Sequence, residues 1–274
     1  MLSNRLIACF DVKNGRVTKA MKFEDNIDVG DPAHLAQRLY EEQIDEIVFY
    51  DIMASAEKRP PDLTTVREVA ERIFVPLTVG GGISSLHDMH AVLDAGAEKI
   101  SIDSMAVRNP SLITQCAQEF GTQCMVLSLQ AAWVGVNPQI PSGYEIAIDG
   151  ARLFTGLDAF EWAKRAADLG AGEIVVNSID RDGTGQGFEL RLTGGVAEAV
   201  NLPIIASGGA GTARHVADSF AVGASGAIIS SMLYSPRTKN HSVTDLKTEL
   251  AEMGCAIRPI ISTDAPRSGL SVSQ

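Results

Sequence analysis

The stretch PLTVGGGIS at residues 76–84 returns as PIIASGGAG at 203–211, displaced by 127 residues. The same displacement carries AGAEKISIDSM (95–105) onto VGASGAIISSM (222–232), and EIVF at 46 onto EIVV at 173, all without a gap. Self-similarity of this kind restricts the chain to a fold made of two copies of one unit.

Within each copy, short β-branched runs alternate with stretches whose apolar residues recur at helical spacing. That is the pattern of βα units on a parallel sheet. Strands are expected at 5–11, 46–52, 76–82, 98–103, 124–130, 173–179, 203–209 and 226–231. Amphipathic stretches such as DPAHLAQRLYEEQ, SSLHDMHAVLDAG and LDAFEWAKRAADLG follow them. The sequence therefore predicts an α/β protein, a single (β/α)8 TIM barrel built from two (β/α)4 half-barrels. The barrel takes residues 1–256, and residues 257–274 read as a polar tail without fixed structure.

Composition narrows the function classes. Of 274 residues, 45% are hydrophobic and the formal net charge is -11, so the chain lacks the basic face that nucleic acid or an anionic membrane requires. A local phosphate site survives that test, because backbone N–H groups supply one regardless of net charge. No apolar run reaches the roughly 18 residues of a membrane helix, and MLSNRLIACFDVK lacks the features of a signal peptide, so the cytoplasm is expected. Cys9, Cys116, Cys124 and Cys255 have neither metal-binding nor disulfide-framework spacing. His87 and His90 share a helix face but have no further ligand nearby. Neither a metal nor a cofactor is expected.

In such barrels the working groups stand at the C-terminal ends of the strands and in the loops that follow. Asp11, the glycines at 80–82, Asp103, Ser104, Gln130, Asn177, SIDRDGT (178–184), SGGAG (207–211), Ser230 and Ser231 fall there. Arg5 and Asp11, Lys99 and Asp103, and Glu173 and Asn177 are each an even number of residues apart, so each pair shares the interior side. Arg5, Lys99, Glu173 and Glu46 then lie at the opposite end. Two cations and two anions there can close into a ring, although charges at strand starts are more usually just a solvated rim. Within the repeat, strands one and five are counterparts, which sets a carboxylate, Asp11, against a carboxamide, Gln130. Gln130 can orient a water or a ligand, but it does not titrate near neutral pH.

TVGGGIS and ASGGAG are Gly-rich turns after apolar strands, where backbone can approach an anion closely. Gly82 with Asp103 and Ser104 forms one expected phosphate cradle, and Gly209 with Ser230 and Ser231 the other. Two cradles related by the repeat imply a ligand with a phosphate at each end. Asp103 sets a negative charge where an anion should sit, so the second cradle is the firmer assignment.

Through IACFDVKNGRV, GDPAHLA, TVGGGI, AVRNPSLI, SIDRDGT and PIIASGGAG, the sequence resembles the cyclase subunit of imidazole glycerol phosphate synthase, from its start to about Cys255. The resemblance implies a heterodimer with a glutaminase docked at the barrel's N-terminal face. Ammonia would pass along the axis to the opposite mouth. There a bisphosphate, an aminoimidazole carboxamide ribonucleotide with a ribulosyl phosphate arm, is cyclised and cleaved to imidazole glycerol phosphate and the aminoimidazole carboxamide ribotide. The family's charged gate matches Arg5, Glu46, Lys99 and Glu173, which favours the ring over the rim. Asp11 matches one of two catalytic aspartates, Lys19 a lysine of the mobile first loop, and Asp182, Gly183, Gly209 and Ser231 one phosphate cradle.

The mouth departs from the family elsewhere. The second catalytic aspartate falls on Gln130, an asparagine of the first cradle on Asp103, and threonines on Ser104 and Asn177. Lys-Gly in the first loop becomes Lys19-Ala20, and DIT after strand two becomes Asp51-Ile52-Met53. An intact base beneath an altered mouth favours a barrel that takes ammonia from a glutaminase and hands it to a different acceptor or a third enzyme, as in sugar amidination for surface polysaccharides. The alternatives are a histidine-pathway cyclase in which Asp11 alone or Asp182 covers the lost proton transfer, a non-catalytic activator of the glutaminase, and the pathway's sibling sugar isomerase.

Overall fold

The structure is a computed structural model describing residues 3–21, 24–234 and 241–261. Its frame is eight parallel strands, Arg5–Lys13, Glu46–Asp51, Leu77–Gly80, Lys99–Ile102, Met125–Trp133, Glu173–Ser178, Ile204–Ser207 and Gly226–Ile228, here strands one to eight. Each pairs with the next, and strand eight returns to strand one with Arg5 opposite Gly226, closing the barrel. All eight amphipathic stretches hold helices, from Pro32–Glu41 to Val243–Glu252. Their starts are set locally: Asp31, Asp62, Ser85, Asp158, Thr212 and Ser242 each accept a backbone N–H of the first turn.

Strand alternation divides the core into two layers. Leu6, Ala8, Phe10, Ile47 and Phe49 point outward and pack under the helices. Ile7, Val48, Val126, Val175, Ile205 and Ile228 fill the lumen, with Cys9 and Tyr50 packed on them. On strand one the inward set is therefore the odd-numbered residues, which carries Arg5 to one end of the axis and Asp11 to the other.

Strands one and five run past their expected ends at 11 and 130, and each extends into antiparallel pairing. Arg16–Met21 and Glu24–Gly30 continue strand one, while Tyr144–Ile148 and Leu153–Asp158 continue strand five. Short helices Ala54–Glu57, Ser104–Arg108 and Ser230–Tyr234 follow strands two, four and eight. At the other end Lys247, only 2% exposed, bonds Asp45 Oδ1 at 2.6 Å, and Asp45 Oδ2 accepts Leu6 N–H at 2.9 Å. This buried pair fastens the last helix to the strand starts. Residues 257–261 are tied to the barrel too: Ile257 bridges Asn4, and Ile261 exchanges two hydrogen bonds with the Gln43 side chain, at 2.7 and 2.9 Å. The rest of the expected tail, 262–274, lies outside the described residues. No helix among the described residues is long and apolar enough to cross a membrane.

Candidate active site

The base of the lumen carries a closed ring of alternating charge. Glu46 receives Arg5 Nη1 and Lys99 Nζ, both at 2.8 Å; Glu173 receives Lys99 Nζ at 2.8 Å and the second guanidinium nitrogen of Arg5. The two carboxylates are buried, whereas the cations keep 25% (Arg5) and 19% (Lys99) of their side chains exposed. Burial alone would lower the Lys99 pKa, but Glu46 and Glu173 outweigh it and hold the ammonium above its ordinary value. Thr78 and Ser225, which sequence reasoning missed, complete the ring. Thr78 Oγ1 donates to Glu46 at 3.2 Å, and Arg5 Nη2 reaches Ser225 Oγ at 3.3 Å.

Above the ring the lumen is apolar except for a hydroxyl cluster that sequence reasoning also missed. Tyr50, inward on strand two, lies 3.1 Å from Ser101 Oγ, and burial pushes its phenol pKa up. The ring fits because Gly80 has no side chain: a Cβ there would sit 2.7 Å from Tyr50 Cε1. The signal was available in principle, since Tyr50 shares the parity of Glu46 on its strand.

At the mouth Asp11 ends the inward row of strand one. Lys19, from the antiparallel arm, stands 3.9 Å from its Oδ2. Burial raises the Asp11 pKa, Lys19 opposes that rise, and the like charge of Asp182 adds to it. Asp182 is in turn placed by the turn after strand six, where its N–H reaches Ser178 O at 3.0 Å and Gly183 takes φ +70. Asn177 and Gln130 are in register on neighbouring strands.

The two Gly-rich turns differ. In the first, Gly82 N–H is already bonded to Ser55 Oγ at 3.0 Å, and two carboxylates crowd the site. Asp103 caps the short helix through Ser104 N–H, and its Oδ2 accepts Gln130 Nε2 at 3.0 Å. Asp149 donates its N–H to Ser104 Oγ at 2.9 Å and clasps Arg108 through both oxygens, one bond being 2.8 Å. Burial raises the Asp103 pKa, Asp149 adds to the rise, and the bonds from Ser104 and Gln130 work against it. In the second turn Gly209 takes φ +104 against Gly187, and Gly187 N–H bonds Gly209 O at 2.7 Å, locking the loop after strand six to that after strand seven. Ser230, expected to face a phosphate, uses its hydroxyl on the Cys9 backbone instead, accepting Cys9 N–H at 2.7 Å and donating to Cys9 O at 2.9 Å. Ser231 follows it in the first turn of the same short helix.

Beside the mouth, a cavity of about 410 Å³ lies between the loop after strand six and the helix Ala213–Ala221, lined by Arg181, Glu189, Arg191, His215 and Asp218 among others. Next to it Arg191 stacks 4.6 Å above Trp133. Of the segments expected at the mouth, SIDRDGT alone reaches this cavity, through Arg181. Among the described residues there is no His, Cys, Asp and Glu cluster able to hold a metal ion.

Comparison with known proteins adds an independent observation. Residues 5–239 match the family described as histidine biosynthesis protein. The chain is 52% identical over 261 residues to the imidazole glycerol phosphate synthase subunit HisF of Solidesulfovibrio magneticus, covering 95% of this chain and all of that protein. It is 53% identical over 259 residues to the subunit of that name from Desulfovibrio desulfuricans, covering 94% and 99%, and 50% identical to that of Desulfatibacillum aliphaticivorans, covering 94% and 98%.

Proposed function

Because this chain belongs to the histidine biosynthesis protein family, among the HisF cyclase subunits of imidazole glycerol phosphate synthase, we propose that it uses ammonia to close an imidazole ring and cleave its substrate. Ammonia enters from a glutaminase docked at the Arg5, Glu46, Lys99 and Glu173 end. It moves up the lumen past Tyr50 and meets the bisphosphate at the mouth, and imidazole glycerol phosphate and the aminoimidazole carboxamide ribotide leave.

The observation that carries this reading is the placement, on one axis, of a closed charged ring below an apolar lumen and ionisable groups above it. The ring gives a partner a charged surface around a narrow entry, and the apolar lumen favours neutral ammonia over ammonium, because a charge is costly to desolvate. At the mouth Lys19 beside Asp11 supplies a cation for a phosphorylated ligand. Asp182 and Gly183, with the locked turns at Gly187 and Gly209, support one phosphate end; Ser104 and Asn177 contact the ligand between.

Gln130 is the feature that favours a second reading, in which ammonia passes to a different acceptor or a third enzyme. Turnover of the bisphosphate with ammonium salts, followed by release of the aminoimidazole ribotide, separates the two. Product formation supports the cyclase. Stimulation of a glutaminase partner with the bisphosphate left intact would replace it by the second reading.

A further inference from the structure

The carboxamide of Gln130 donates from Nε2 to Asp103 Oδ2 at 3.0 Å, across the seam between strands four and five. The acid group absent from position 130 therefore stands one strand away, held by the side chain that occupies its place. We propose that Asp103 is the second proton-transferring carboxylate of the mouth, working opposite Asp11, and that Gln130 positions it. This rests on the cyclase reading above.

Three observations support the assignment. The first is orientation. Lys99 and Ser101 enter the lumen from strand four, one at the charged ring and one against Tyr50, so the alternation carries Asp103 inward at the top. The second is fixation. One carboxylate oxygen takes Ser104 N–H and the other takes Gln130 Nε2, so both are oriented by donors rather than left to rotate. The third is position. Strand four is three places from strand one in the closed order, which sets Asp103 and Asp11 on different walls of the mouth.

Their surroundings also differ. Asp11 has Lys19 within 3.9 Å, whereas among the described residues Asp103 forms no salt bridge. The charged and titratable groups that face Asp103 are Asp149, its partner Arg108 and the buried phenol of Tyr50. Arg108 is already clasped by Asp149. Asp103 is therefore biased toward its neutral acid form relative to a solvated aspartate, which suits a proton donor.

The proton count closes without a further reagent. Addition of ammonia to a carbonyl carbon forms a C–N bond; the nitrogen sheds protons and the oxygen gains them before leaving as water. The same nitrogen then attacks the carbon that carries the aminoimidazole, closing the ring with a second C–N bond; the bond from that carbon to the departing aminoimidazole breaks, giving its pair to the departing nitrogen, which takes a proton. Asp103 as an acid protonates the departing group and recovers a proton shed by the ammonia-derived nitrogen, while Asp11 takes the opposite role.

The test is bisphosphate turnover with ammonium salts by the full chain and three variants. Asp103→Asn keeps the shape and the capability to cap Ser104, yet cannot titrate; kcat should fall by about 10²- to 10⁴-fold with no loss of unfolding temperature. Asp103→Asn with Gln130→Asp transposes the carboxylate to the neighbouring strand and should recover at least about tenfold over the single variant. Gln130→Ala removes a donor to the carboxylate, so the limb of the kcat pH profile due to Asp103 should move to higher pH. Near-parental kcat in Asp103→Asn overturns the proposal and leaves the cyclase reading intact. An inactive transposed variant, together with an unmoved limb in Gln130→Ala, assigns Asp103 a structural role and also overturns it. No turnover by the parent chain overturns the cyclase reading, and the proposal with it.

Discussion

Replacing Glu46 by Gln tests the ring with almost no change of volume. The carboxylate is 1% exposed and accepts three bonds: Arg5 Nη1 and Lys99 Nζ at 2.8 Å and Thr78 Oγ1 at 3.2 Å. Gln keeps one acceptor oxygen, which can retain Lys99 and Thr78, but turns an NH2 toward the guanidinium of Arg5. One charge-assisted bond is lost, worth about 1.5–3 kcal/mol, and donor meets donor in its place. The loss is discounted because Arg5 and Lys99 keep Glu173 and are partly exposed to water. About 1–3 kcal/mol remains, which for a domain of this size is a fall of roughly 2–12 °C in unfolding temperature. Entry should be disturbed as well, so glutamine-dependent turnover with a glutaminase partner should drop more than turnover with ammonium salts. Thermal unfolding by circular dichroism and the ratio of the two rates are the readouts. An unchanged unfolding temperature together with an unchanged ratio would refute the reasoning, since a buried carboxylate holding two cations cannot be lost silently.

Three further perturbations follow from particular contacts. Lys247→Met strands Asp45 in the interior with Leu6 N–H as its remaining donor, and chemical denaturation should report a loss of about 3–5 kcal/mol. Tyr50→Phe removes the phenol oxygen from Ser101; a cost of about 1 kcal/mol is expected, with glutamine-dependent turnover changing more than ammonium-dependent turnover. Asp103→Asn should stabilise the fold at neutral pH. The native carboxyl has a raised pKa, so its ionised form is penalised in the folded state as pH climbs from the ordinary value of 3.8 through the raised one. The gain in unfolding temperature should accordingly be present near pH 7 and vanish at about pH 3. A constant difference across that range would contradict it.

The barrel was legible because its signals are local and repeated. The runs beginning at Arg5, Glu46 and Glu173 are continuous and apolar as buried parallel strands must be, and the 127-residue displacement fixed their count. Parity set Arg5, Lys99 and Glu173 at the head of inward rows but left a solvated rim open, and the family resemblance was needed to favour the ring that the side chains form. The antiparallel arms were not. EDNIDVG is rich in residues that disfavour strands, and its pairing with Arg16–Met21 is a tertiary effect that overrides propensity. At the mouth the sequence identified the departures at 103 and 130 but not their relation, because register across two strands and a rotamer bring them together. Ser230 was placed in a cradle by its position after a strand; its hydroxyl turns to Cys9 instead, a direction that sequence spacing does not contain.

The most direct measurement follows one nitrogen atom. With glutamine labelled as amide nitrogen-15, the chain together with a glutaminase partner and the bisphosphate should place one label in the imidazole ring of the glycerol phosphate product and none in the released ribotide. An unlabelled, unconsumed bisphosphate while the partner hydrolyses glutamine would contradict a working cyclase at this mouth.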